Sequence, residues 1–403
     1  MNIIQISPFR ISDAPSSGGE VRVSEFGAAY LRANFGFDRS IVHSRGAIGL
    51  QALDVELNWW DRQRRSHLGR PYGLAQLRQM WAFRSSNRYA RALANRMDHQ
   101  YALVQVEHPW CFDLAWQLKA TPHCRDARIV YSSHNVESNL QAQVWRANNQ
   151  WSNIAERLVD EIRELEISAA RRADISWATS EHDAAFLRTA GAHRVVVVPN
   201  GVAPLACIDP EAVIPKARYL LFVASSHVPN VVGLSNWLAA PLTDMPAGCA
   251  LVLAGSVGAA IRRDPRFAED ITQGRLVDAG VVSRSQLDQL IRHAHGLVLP
   301  VGIGGGTNLK TAEALVSGRP LIVTSASMRG FETFFSRPRL TLALSPADFR
   351  AAAWSMLSMP RRNDEDDVMA ATLHWEHAFS AVWPAMTDLG IKSIALHTTP
   401  RVT

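Results

Sequence analysis

The chain has 403 residues, 47% of them apolar and 20% charged, with a formal net charge of +5. That balance belongs to a folded protein with room for two cores, and it excludes a disordered chain. Four scattered cysteines (Cys111, Cys124, Cys207 and Cys249) show no CxxC pair and no metal spacing, which excludes a disulfide scaffold and fits reduced thiols in the cytoplasm.

The opening, MNIIQISPFR, has neither a charged start nor a long apolar stretch, so no signal peptide is expected. NIIQIS reads as the first strand, and SSGGE (Ser16 to Glu20) as a glycine turn feeding a helix. Between Trp59 and Met97, nine arginines (Arg62, Arg64, Arg65, Arg70, Arg78, Arg84, Arg88, Arg91 and Arg96) meet one acid, Asp61. Trp59, Trp60, Tyr72, Trp81, Phe83 and Tyr89 are interleaved with them. The segment suits an anionic membrane surface or a phosphorylated acceptor. The plainer alternative is a solvated arginine-rich helical face over core aromatics. Nucleic acid would fit the charge, but no nucleic-acid module surrounds it and none is expected as a partner.

YALVQVEH, RIVYSSH, DISWATS and RVVVVPN read as further strands, with EHPW (Glu107 to Trp110), SSHNVE (Ser132 to Glu137) and TSEHD (Thr179 to Asp183) at their ends. Within this series, Trp151 to Arg172 carries apolar residues at Ile154, Leu158, Ile162, Leu165 and Ile167, a helical period with a charged outer face. Four prolines and a glycine between Pro199 and Pro215 predict a linker. Beyond it, YLLFVAS, ALVLAGS, GLVLP and PLIVTS form a second strand series. The longest apolar run, Ala247 to Ile261, is too short to span a bilayer. The acidic DEDD (Asp364 to Asp367) is expected to lead a helix rather than hold a metal.

Apolar strands alternating with helices predict an α/β chain with a parallel sheet in each half, hence two doubly wound domains. Ligands gather outside the carboxyl ends of such strands, so the expected site is an interdomain cleft lined by both sets of loops. In the second half those loops are SSHVPN (Ser225 to Asn230), GSVG (Gly255 to Gly258), GIGGGTNLK (Gly302 to Lys310) and TSASMRG (Thr324 to Gly330).

The stretch GIGGGTNLKTAEAL (Gly302 to Leu315) resembles a phosphate cradle, and three readings compete. A Walker loop needs glycine directly before Lys-Thr, where Leu309 stands. A dinucleotide fingerprint begun at Gly302 or Gly304 puts Thr307 or Leu309 where the third glycine belongs. The third reading takes Thr307 as an N-cap and Gly318 and Pro320 as the helix stop. Lys310 in the first turn is then unfavourable unless an anion is bound there. Glycine N–H groups and Lys310 would hold phosphates, and Glu313 one turn on would accept from a ribose diol. An ordinary exposed Lys/Glu pair is the alternative.

GGGTNLKTAEALVSGRPLIVTS, continued by MRGFE (Met328 to Glu332), resembles the donor-binding signature of the group-one (family four) glycosyltransferases, which have the GT-B fold. SSGGE, IVYSSHNVE, ADISWATSEHD, VVVVPNGV, LLFVASSHVPNVVGLSNWL and LHWEHAFSAVWPAM (Leu373 to Met386) extend the resemblance over most of the chain. It implies an acceptor-side Rossmann-like domain over 1–202 and a nucleotide-sugar-binding Rossmann-like domain over 203–375. A C-terminal helix and tail over 376–403 would cross back to the first domain.

Residue by residue, the resemblance implies that Gly18 and Gly19 let the backbone approach the donor diphosphate or an acceptor. His134 would meet the donor sugar near the reacting carbon. Lys310 would neutralise the leaving diphosphate, aided by Gly304, Gly305, Gly306, Thr307 and Asn308, while Glu313 would hold the ribose. His227 and Asn230 would line the phosphate region, and Glu20 and Glu137 would serve the acceptor side. Two departures stand out: Gly305 occupies the place where many relatives carry a first glutamate, and ASSHVPN lacks the usual Arg/Lys pair.

The function implied is transfer of a sugar from a nucleotide diphosphate sugar to a hydroxyl of a saccharide or lipid-linked acceptor, in cell-surface polysaccharide, lipopolysaccharide or glycolipid synthesis. Retention by front-face attack is implied, with no metal and no cofactor beyond the donor substrate. The expected location is the cytoplasm, peripheral to the inner face of the membrane through residues 59–97. Two rivals are a sugar-nucleotide 2-epimerase-like enzyme, which shares the architecture, and a non-catalytic binding protein of the same fold.

Overall fold

The computed structural model describes residues 1–11, 17–44, 50–66, 75–204, 214–215, 217–238, 241–360 and 372–392. The sequence motif DEDD, Cys207, Arg70, Tyr72 and much of the proline-marked linker lie outside them. Contacts divide the chain into two compact units: Met1–Pro199 with the segment from Phe379 onward, and Asn200–Ala378.

The first unit holds a seven-stranded sheet, every pairing of which is parallel. In chain order its strands are β1 (Asn2–Ser7), β2 (Gly36–His43), β3 (Val55–Glu56), β4 (Tyr101–Glu107), β5 (Arg128–Ser132), β6 (Ile175–Ala178) and β7 (Val195–Val197). Their spatial order, β3-β2-β1-β4-β5-β6-β7, reverses direction between β1 and β4. That reversal opens a crevice at the carboxyl ends of those two strands.

The second unit holds six parallel strands: β8 (Arg218–Val223), β9 (Cys249–Ala254), β10 (Leu276–Gly280), β11 (Gly296–Leu299), β12 (Leu321–Val323) and β13 (Leu340–Leu342). Their order is β10-β9-β8-β11-β12-β13, so the reversal falls between β8 and β11. Apolar residues of these central strands are buried, as strands covered on both faces require.

Local signals explain the helices that frame the sites. Ser17 caps helix Gly18–Arg32: its side chain accepts from Glu20 N and donates to the Glu20 carboxylate, both at 3.3 Å. The S-x-x-E spacing is that of a capping box, although here the Glu20 carboxylate accepts from the Ser17 hydroxyl rather than from its backbone N–H. Ser152 caps helix Asn153–Arg172 in the same way, with Ala155 N as donor at 3.2 Å. Leu158, Ile162 and Leu165 of its apolar stripe are buried, whereas Ile154 in the first turn is 42% exposed. The segment Leu373 to Met386, expected to belong to a C-terminal helix, forms two short helices, Trp375–Ala378 and Val382–Asp388. After Ala378 the chain packs on the first unit, with Phe379 against Phe26 (4.5 Å between ring centroids) and Asp388 paired with Arg194 at 2.8 Å.

The arginine-rich segment changes character on folding. Arg64 and Arg88 share Asp61, Arg62 pairs with Glu56, Arg65 with Glu161, and Arg84 lies 3.8 Å from Asp113. Trp81, Phe83 and Tyr89 are core residues. Trp59 and Trp60, packed edge to face, stand 56% and 75% exposed. Arg64, Arg65, Trp81, Arg84 and Ser85 line a surface cavity of about 340 Å³. No helix among the described residues is long and apolar enough to cross a membrane.

Candidate active site

At the first unit's reversal point, a buried polar network surrounds His134. Glu107 ends β4 fully buried, and its carboxylate accepts from Gln5 Nε2 (2.7 Å) and Gln105 Nε2 (2.5 Å) on Oε1. His134 Nε2 lies 2.8 Å from Oε2. Burial alone would raise the Glu107 pKa, but the hydrogen bonds with His134 and Gln105 outweigh it and hold the carboxyl at about 2. An ionised carboxylate only accepts, so His134 must carry its proton on Nε2. Burial, reinforced by neighbouring His108, lowers the imidazole to about 4 against the pull of Glu107. At neutral pH His134 is therefore uncharged in one tautomer, with Nδ1 holding the lone pair.

A second His–Glu couple crosses the first. His108 follows Glu107, and its Nδ1 lies 3.0 Å from Glu137 Oε1. The His108 and His134 rings have centroids 4.1 Å apart. His108 has a φ of 67°, a left-handed conformation uncommon outside glycine, asparagine and aspartate and a mark of functional sites when it is buried. Burial pushes the Glu137 carboxyl up, but His108 and Asn135 more than offset this and keep its pKa below the ordinary value. Glu137 is placed by Glu166, whose carboxylate accepts from Glu137 N (2.5 Å), Ser138 N (3.2 Å) and Ser138 Oγ (2.6 Å) at the start of helix Glu137–Ala147.

The glycine turn reaches this network through Phe9. Its ring lies edge-on to His108 at 4.9 Å and 6.0 Å from His134. A Cβ on Gly19 would stand 2.9 Å from the same ring, so only glycine leaves Phe9 in place. Gly18 is the first residue of its helix. Arg22, one turn on, is fully buried, and burial lowers its pKa to about 10 despite attraction from Glu107 and Asp183. Gly18, Gly19, His134 and Glu137 are thus brought together, and Glu107, His108, Gln5, Gln105 and Arg22 join them. The last five were not assigned from sequence, although glutamines inside NIIQIS and YALVQVEH were a signal, because buried strand interiors rarely admit an amide without a partner.

In the second unit, the β8 and β11 ends meet at the glycine loop. Lys310 donates to Asn230 Oδ1 at 2.5 Å, while Asn230 Nδ2 donates to the Ser225 carbonyl at 3.0 Å. Burial lowers Lys310 to about 8, with Glu313 opposing and Arg329 adding to the drop. His227 lends its carbonyl to Asn230 N at 2.9 Å, and its side chain is exposed. The helix runs Leu309–Val316 with Asn308 as its cap, one residue later than expected; Thr307 instead accepts from Asn200 Nδ2 on its carbonyl at 2.9 Å. Asn308 Nδ2 donates to the Ser327 carbonyl at 3.4 Å.

Glu313 is not an idle exposed partner of Lys310. It accepts from Arg284 Nη1 at 2.9 Å, and burial raises its pKa against that pairing. Arg329 donates Nε to the Gly306 carbonyl (2.8 Å) and Nη2 to that of Gly305 (2.9 Å). Neither arginine was assigned from sequence. The second unit therefore presents two cations, Lys310 and Arg329, bonded to neutral oxygens beside a run of glycine amides, which is an anion-binding chemistry.

Comparison with known proteins bears on the fold. The family model described as Glycosyltransferase Family 4 matches residues 17–204. No curated protein sequence matches the chain. Among solved structures, sucrose-phosphate synthase from Thermosynechococcus elongatus is similar at 16% identity and a TM-score of 0.63, over 97% of this chain and 99% of that one. The lipopolysaccharide outer core galactosyltransferase WaaB is similar at 15% identity and a TM-score of 0.56, over 96% and 99%. HepE from Anabaena, solved with UDP-glucose, is similar at 11% identity and a TM-score of 0.55, over 96% and 100%. Residues 17–204 match the Glycosyltransferase Family 4 model, and the chain shares the fold of the solved GT-B glycosyltransferases.

Proposed function

We propose that the protein transfers a sugar from a nucleotide diphosphate sugar to a hydroxyl of a saccharide or lipid-linked acceptor, with retention at the anomeric carbon. The observation that carries this reading is Lys310, a cation held by a neutral amide beside the glycine loop at the β8/β11 reversal. The division of labour gives the second unit the nucleotide diphosphate, with Gly304, Gly305, Gly306, Thr307 and Asn308 around the phosphates. His227 and Asn230 border them, and Glu313, steadied by Arg284, takes the ribose. The first unit supplies His134 to the sugar, with Gly18 and Gly19 beside it and Glu137 and Glu20 on the acceptor side.

Bond breaking moves negative charge onto the leaving diphosphate. Fixed positive groups already aimed there stabilise that charge more in the transition state than in the ground state. His134, neutral with its proton committed to Glu107, offers a lone pair at Nδ1 and cannot repel a developing oxocarbenium ion as an imidazolium would. These groups need no metal to balance the diphosphate. A polysaccharide, lipopolysaccharide or glycolipid pathway fits the reading, and Trp59 and Trp60 beside the arginines support a lipid-borne acceptor at an anionic membrane surface on the cytoplasmic side.

A thermal-shift screen of nucleotide sugars, followed by product analysis with and without saccharide acceptors, tests the proposal. Transfer dependent on acceptor is the expected outcome. Epimer formation on the donor alone would favour the 2-epimerase reading, and donor binding without turnover would favour a binding protein.

A further inference from the structure

Arg329 lies in the turn after β12, 23 residues beyond the glycine loop it holds. Its Nε and Nη2 form a fork on two successive carbonyls, those of Gly306 and Gly305, at 2.8 and 2.9 Å. In a trans peptide the N–H lies opposite the C=O, and no peptide bond among the described residues is cis. Holding those two oxygens therefore turns the N–H groups of Gly306 and Thr307 away from the guanidinium. Asn200 fixes the next carbonyl, that of Thr307, at 2.9 Å. The loop's glycines also make room for the arginine: a Cβ on Gly304 would stand 3.0 Å from Arg329 Nη2.

The charge matters as well as the fork. The β8 turn across the reversal point, Ser225 to Asn230, contains neither lysine nor arginine. Arg329 is close enough to Lys310 to oppose its protonation. Both positive charges lie near the loop, and a diphosphate carries charge enough to attract both.

We infer that Arg329 is a positioning residue for diphosphate binding: it sets the Gly306 and Thr307 amides and brings a second positive charge to the anion that Lys310 contacts. This rests on the nucleotide-sugar reading and adds to it a residue on which the sequence placed no role.

Isothermal titration of the full chain with UDP, ADP, GDP and inorganic pyrophosphate, and with the matching nucleosides, tests it in the wild type, Arg329→Gln and Arg329→Lys. Gln removes the charge, and Lys keeps the charge but loses the fork. For the best-binding nucleoside diphosphate, Arg329→Gln is expected to weaken affinity roughly 10- to 100-fold and Arg329→Lys by about 5-fold, with nucleoside binding unchanged. The alkaline fall in diphosphate affinity should also move to higher pH in Arg329→Gln, because Lys310 loses a repelling neighbour. A purely structural brace would weaken nucleoside and diphosphate alike, which would overturn the inference. Wild-type affinities in both variants would overturn it alone, whereas a wild type that binds no diphosphate would overturn it together with the nucleotide-sugar reading. If Arg329→Gln does not fold, Arg329→Lys decides: no loss of diphosphate affinity contradicts the fork.

Discussion

The two reversal points solve different electrostatic problems. Around Glu107 the first unit buries its charge completely and surrounds it with donors from β1, β4 and the turn after β5. Around Lys310 the second unit holds its cation with an amide oxygen from the β8 side, and Arg329 with carbonyls of the loop itself. The first arrangement is complete and fixes one proton on one nitrogen. In the second, Lys310 donates to a neutral amide oxygen, with the Glu313 carboxylate near enough to favour its charge. Under the proposed function, the preorganised network would serve the sugar and the cationic loop the leaving diphosphate.

Removing either centre should have the largest effect. Lys310→Ala and His134→Ala are each expected to cut kcat/KM for transfer by about 10²- to 10³-fold. The comparison sharpens in how they do so: Lys310→Ala should also weaken nucleoside diphosphate binding, while His134→Ala should leave it intact. Equal loss of diphosphate affinity in both would break the distinction.

Glu107 tests the preorganised side. Glu107→Leu leaves the donors of Gln5, Gln105 and His134 buried without an acceptor, and chemical denaturation should register a loss of about 3 kcal/mol or more. Glu107→Gln preserves shape but removes the charge that fixes the tautomer. It should lower kcat by about 10-fold with little change in donor KM, and ¹⁵N spectra of His134 should show the Nε2–H form losing its dominance.

The pH dependence separates the two sides. Below about pH 4 His134 gains a second proton and transfer falls. Diphosphate binding favours protonated Lys310, so affinity is full below its free-state value and declines as pH rises through about 8. An affinity flat from pH 7 to pH 9.5 would contradict the role given to Lys310.

Much of the fold was legible in the chain. Nine of the thirteen strands among the described residues appear as apolar runs, and the glycine loop declares itself because Lys310 is badly placed for an empty helix terminus. β2, β3, β10 and β13 escaped notice: β2 carries Asp38, Arg39 and Ser40, and the other three are short or half-polar strands at or near sheet edges. The glycine turn, His134, Lys310 and Glu313 were readable because they sit in local motifs. Glu107, Arg22, Arg284 and Arg329 were not, since each takes its meaning from partners that only the fold brings near. The arginine-rich segment shows the converse. Its one-sided charge in sequence is offset by Glu56, Glu161 and Asp113 supplied from elsewhere.

The smallest expected effect follows from that offset. Neutralising Arg64, Arg65 and Arg84 together should weaken co-sedimentation with anionic vesicles only several-fold, since Asp61 and Glu161 already hold two of them. Replacing Trp59 and Trp60 with alanine should do at least as much. Unchanged co-sedimentation in both would remove the membrane from the account.

The central claim is that the Lys310 loop holds the diphosphate of a sugar donor. Calorimetric titration of the wild type and Lys310→Ala with UDP, ADP, GDP and their sugar conjugates tests it most directly. The account predicts saturable wild-type binding of at least one nucleotide sugar, weakened by about 100-fold or more in Lys310→Ala while that variant stays folded. Binding that survives the loss of Lys310 at full strength, or no nucleotide bound by the wild type, would contradict it.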